Sequence, residues 1–181
     1  MTIFTVLLIA IAAFLWIGLV ATVATINGND AAGNGLSEYY AVFGSIGLWL
    51  LLAVIMIIAG IRGGMSVRSA ICAVVLLPAS CAATIAAIAI LKDATESRWP
   101  IVVPVLAPML LLSYAVWLYF PRVRALVAAQ TVEAVTWGVL LLLSVAPWPR
   151  TIHNMHTTES AAELGTDDLT SERNDAGETG S

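Results

Sequence analysis

The chain has 181 residues, of which 60% are hydrophobic and only 11% charged, with a mean hydropathy of +0.92. A soluble domain runs nearer ~45–50% apolar and ~25% charged, so the composition excludes a disordered chain and an ordinary water-soluble enzyme. Residues 1–150 hold seven bases and five acids, whereas 151–181 hold seven acids and one base, Arg173; with no basic cluster along the chain to neutralise phosphates, nucleic acid is not an expected partner.

A membrane-spanning helix needs about 20 consecutive, mostly apolar residues. Five stretches meet that length: 4–26, 39–61, 69–91, 99–120 and 125–148. Only the last contains a charge, Glu133. Lipid offers no partner for backbone N–H and C=O groups, so such runs must be helices. The expected fold is therefore all-α: a polytopic membrane protein, 1–148, built as a bundle of five transmembrane helices, followed by a disordered acidic C-terminal tail, 149–181. The first run lacks a positive leader and exceeds the ~7–15 apolar residues of a signal peptide, so it is read as an uncleaved helix.

The links between the spans are short, which makes successive helices antiparallel neighbours. Residues 27–38 carry two Asn-Gly pairs, Asn27-Gly28 and Asn34-Gly35, that read as turns. Arg62 to Arg68 contains Gly63-Gly64, residues 92–98 are polar, and Pro121 opens a tight turn that ends at Arg124. Lys and Arg favour cytoplasmic loops. Arg62, Arg68, Arg122 and Arg124 in two loops on one side, against Lys92, Arg98 and Arg150 on the other, favour a cytoplasmic N-terminus and an outer tail, in a plasma or inner membrane.

The tail is rich in Thr, Ser, Gly, Asp and Glu and buries too little apolar surface to offset its ordering entropy. His153 and His156 flank Met155 there, but two histidines without a third ligand do not make a metal site. Cys72 and Cys81 lie nine residues apart in one apolar run, roughly 13.5 Å of helical rise, too far to bridge each other. No metal and no cofactor is expected.

Glu133 is the one informative polar residue of the spans. Counted from Arg124, it falls roughly 13.5 Å into the fifth helix, near the midplane. Gln130 and Thr136 lie about 60° to either side of it around a helix, and Trp137 about 40° away, which makes a polar stripe facing other helices. An acid at that depth is expensive and faces protein or a water cavity. It serves either as an interhelical hydrogen-bond donor or as a proton or cation site.

Pro100, Pro104 and Pro108 recur every four residues in the fourth helix, and Pro78 lies midway along the third. Pro78, Pro104 and Pro108 are expected to bend their helices by removing a backbone donor each. Ala82, Ala83, Ala86 and Ala87, with Ser80 and Thr84 in register, supply small faces that let helix backbones approach closely. Zinc-protease, serine-hydrolase, phosphate-loop and paired-cysteine motifs are missing from the chain. These features point to a non-catalytic accessory, assembly or scaffold subunit of a larger membrane complex. Its partners would be the lipid bilayer and other membrane subunits or itself. The alternative is a small oligomeric transporter or channel with Glu133 as its proton or cation site.

Overall fold

The computed structural model describes residues 3–26, 31–93 and 98–153. The chain divides into two compact units, Met1–Pro147 and Trp148–Ser181. The first holds α1 (Ile3–Ala24), α2 (Ala31–Ile61), α3 (Val67–Asp93), a 3₁₀ turn (Trp99–Ile101), α4 (Val102–Tyr119), the one-turn α5 (Pro121–Arg124) and α6 (Ala129–Val145). Five helical stretches, with Ala129–His153 as the last, are long and apolar enough to cross a membrane. The described residues form no strand, and the architecture is the all-α bundle of an integral membrane protein.

Of the second unit, residues 148–153 are described, and they are helical. The tail was expected to begin at 149; Pro149 is compatible with a first helical turn, where its missing N–H has no intrahelical acceptor to lose. The remainder of the expected disordered tail, with His156 and Arg173, lies outside the described residues, as does the Asn27-Gly28 turn.

Helix α4 is the centre of the bundle. It packs against α1, α2, α3 and α6, which follow one another around it as an arc: α1 on α2, α2 on α3, α3 on α6. The residue choice along α4 fits that role. Val103, Ala107, Leu111, Tyr114, Ala115 and Leu118 are buried. Val102, Leu106, Met109 and Ser113 recur at helical spacing on one exposed stripe, which looks out between the two ends of the arc.

Two boundaries differ from the sequence expectation. Helix α2 begins at Ala31, so Asn34-Gly35 is helical rather than a turn. Gly costs only about 1 kcal/mol inside a helix, and extending an established helix gains a hydrogen bond per residue. The extension also brings Ser37 against Thr25 (3.2 Å) and Glu38 to within 3.9 Å of Lys92. Helix α6 begins at Ala129, not at Ala125. Arg124 donates to the carbonyls of Gly64 (3.3 Å) and Leu118 (3.1 Å), which pins α5 beneath α4. The chain then needs the turn at 125–128 before it can rise again.

The prolines divide in the same way. Pro104 is the third residue of α4, where an N–H has no intrahelical acceptor, so it removes no helical bond. Pro78 and Pro108 stand inside their helices. Near Pro108, the Val105 carbonyl accepts the Trp16 indole N–H of α1 at 2.9 Å. Other links between helices are Tyr119 Oη to the Ile55 carbonyl (2.9 Å) and a Ser80–Ser144 hydroxyl pair (2.7 Å).

The small-residue face of α3 is used within the chain. Ala83 and Ala87 are fully buried against Val103 of α4, whereas Ala82 faces outward. Ala83→Leu should therefore overpack this contact and destabilise the bundle by about 1–3 kcal/mol. Ala82→Leu should change stability by less than about 0.5 kcal/mol. Unfolding of both variants in mixed detergent, followed by circular dichroism, measures the difference.

Candidate polar cleft between α3 and α6

The loop from α2 to α3 sets one wall of the site. Helix α2 ends in a Schellman turn: Gly64 N–H reaches the Ala59 carbonyl and Gly63 N–H the Gly60 carbonyl, each at 3.0 Å. Gly63 takes the left-handed φ of +66° that this turn requires. Three residues later Ser66 starts α3. Its hydroxyl oxygen accepts the Ser69 N–H at 3.1 Å, which makes it the N-cap of α3. Its hydroxyl proton goes to Glu133 Oε2 at 3.0 Å. One side chain thus caps one helix and ties it to another.

The first two turns of α6 form the facing wall. A cleft of about 390 Å³ lies between them, lined by Arg68, Ser69 and Cys72 of α3 and by Gln130, Glu133 and Trp137 of α6. Gln130 is exposed and Glu133 half-buried. The Arg68 guanidinium makes no hydrogen bond or ion pair among the described residues. The Trp137 indole N–H donates to Ser69 Oγ at 3.0 Å and closes the inner end. Behind it, Tyr114 meets Trp137 edge-on at 5.5 Å and stacks on Trp117 at 5.9 Å. The Tyr114 hydroxyl lies near Ser69 but completes no hydrogen bond.

Of the expected stripe, the structure brings Gln130 and Glu133 to one cleft. Thr136 is buried and does not line it. The depth of Glu133 also changes. With α6 starting at Ala129, Glu133 is its fifth residue, about 6 Å from the helix start rather than near the middle of a span. It stands at the end of the bundle that also holds Arg62, Arg68 and Arg124. Pro78, Pro104 and Pro108 lie away from the cleft lining.

The sequence pattern around Glu133 did not reveal Ser66, Arg68, Ser69 and Cys72, which belong to another helix. One local signal was present: a serine just before an apolar helical run is an N-cap signature, and Ser66 precedes Val67. Chemically, the cleft offers a cation, a carboxylate, an amide and the Ser69 hydroxyl beside Cys72, Ala134 and Trp137. That set suits recognition of a polar group. Among the described residues no three His, Cys, Asp or Glu side chains come together to hold a metal.

Comparison with known proteins finds no matching family model, no matching curated protein and no matching solved structure.

Ser66→Ala should remove the cap and the link to Glu133 together, at about 1 kcal/mol, and Ser66→Thr should restore most of it. Glu133→Gln keeps an acceptor for Ser66 and should unfold at the wild-type midpoint. Glu133→Leu should bring no gain. A rise in detergent Tm from the leucine variant would mean that the carboxyl group faces lipid.

Proposed function

We propose that this chain is a non-catalytic integral membrane protein, an accessory or assembly subunit of a larger membrane complex. In this reading the α3–α6 cleft receives a helix of a second membrane protein that carries an acidic or amide side chain at matching depth. The observation that carries the proposal is the Arg68 guanidinium, without a hydrogen-bond or ion-pair partner among the described residues, beside Gln130 and the half-buried Glu133. Polar groups on the flank of a bundle are costly against lipid and face protein or water. A partner helix would cover them and supply an acceptor for Arg68.

Transport through this single bundle is less well supported. Trp137 closes the inner end of the cleft and Tyr114 packs edge-on behind it, both buried. Glu133 lies near the end of its helix, where a carboxylate serves recognition as readily as proton transfer.

The arginines support an orientation. Arg62, Arg68, Arg122 and Arg124 share one end of the first unit, and Lys92 and Arg98 the other. The positive-inside bias therefore favours the arginine end, and with it the N-terminus, in the cytoplasm of a cell with a plasma or inner membrane.

Two measurements test these proposals. A photo-crosslinking residue in place of Gln130 should give one discrete protein adduct in native membranes, and one in place of the outward-facing Val75 should give none. Lipid adducts alone from both positions would overturn the subunit reading. A reporter that is active only in the cytoplasm, fused after Ser181, should be silent; an active fusion would reverse the orientation.

A further inference from the structure

The arginine end of the bundle holds a second cavity, of about 210 Å³, between the end of α2 and the corner where α4 meets α5. Arg62 and Gly64 line one side, Pro121 and Arg124 the other, and Ala59 and Leu118 the floor. These two arginines are 62 positions apart in the chain, so no basic run announces their meeting.

Both guanidinium groups are held in place. Arg62 Nη1 donates to the Thr5 hydroxyl of α1 at 3.3 Å. Arg124 Nη2 donates to the Gly64 and Leu118 carbonyls, and its guanidinium lies 5.4 Å from the centre of the Trp117 ring. Those bonds engage one nitrogen of Arg124; its other N–H groups have no partner among the described residues. Among the described residues no carboxylate lines the cavity. Glu133, the one described acid at this end, lines the separate α3–α6 cleft. Two like charges fixed on one cavity repel each other, and an anion between them reverses the sign of that interaction. A planar guanidinium fork matches a phosphate better than any other common anionic group except a carboxylate.

The surroundings identify the source of the phosphate. The link from α4 to α6 exposes Leu126 (80%), Val127 (45%) and Phe120 (37%) beside the exposed Arg122. Apolar side chains mixed with arginine belong at the membrane interface, where the apolar groups enter the acyl region and the arginines stay at headgroup depth. We infer that the cavity binds the phosphate of an anionic phospholipid headgroup, held between Arg62 and Arg124. Basic pockets between helix ends are suited to this task. The inference does not depend on the docking role of the other cleft.

The test uses the full chain, purified in detergent and stripped of lipid. Short-chain phosphatidylglycerol, phosphatidylcholine and inorganic phosphate are titrated in turn and followed by native mass spectrometry. A single phosphatidylglycerol should bind saturably, about ten-fold more tightly than phosphatidylcholine, and its affinity should fall with added salt. Arg62→Gln and Arg124→Gln should each weaken it about ten-fold, with Arg122→Gln unchanged. Circular dichroism confirms folding of each variant. If either glutamine variant fails to fold, Arg62→Lys and the salt dependence of the wild type carry the comparison. Equal binding of the two lipids, undiminished binding to the Arg62 variant, or displacement of the lipid by equimolar inorganic phosphate would overturn the assignment.

Discussion

Lipid tails are as apolar as leucine, so an apolar side chain gains little by leaving lipid for the interior of a membrane bundle. Close van der Waals contact and a few interhelical hydrogen bonds must hold the helices together instead. Helix α4 meets this constraint by placing Ala107, Leu111 and Ala115 where four neighbours converge. Its small residues let backbones approach, and its leucines fill the gaps between them. Ala83 and Ala87 do the same for α3. The hydrogen bonds Trp16–Val105, Tyr119–Ile55 and Ser80–Ser144 each add on the order of 0.6 kcal/mol. They set which faces meet, while packing supplies most of the cohesion.

The same constraint sorts the polar groups. Charges are costly at depth, so those of the first unit collect at the helix ends. One end carries Arg62, Arg68, Arg122, Arg124 and a single described acid, Glu133. The Ser66 bond to Glu133 and the Arg124 bond to the Gly64 carbonyl fasten the two loops of this end to each other's helices. The two cavities there differ in chemistry. One sets a cation, a carboxylate and an amide around the same space and suits a neutral or acidic side chain. The other presents two cations, with no acid among its described lining residues, and suits a phosphate. Both proposed ligands would be found at the membrane boundary, a partner helix for the first and a lipid headgroup for the second.

The length and uninterrupted apolarity of each run determined that the chain forms five helices suited to a membrane, because lipid leaves the backbone no other way to satisfy its hydrogen bonds. Helices α1 and α3 start and stop within two residues of the runs that announced them. Glu133 and Gln130 were also legible as candidates, since a polar residue is conspicuous in an apolar span. The late start of α6 was not, because it depends on Arg124 reaching carbonyls of Gly64, sixty positions away, and of its own preceding helix. Only the tertiary structure decided that α4 is central, that Glu133 meets Ser66 and shares a cleft with Arg68 near a helix end, and that Arg62 and Arg124 share one cavity. A repeat of apolar residues states that a helix has a buried face but not which helix covers it, and these residues come together only through that choice of neighbours.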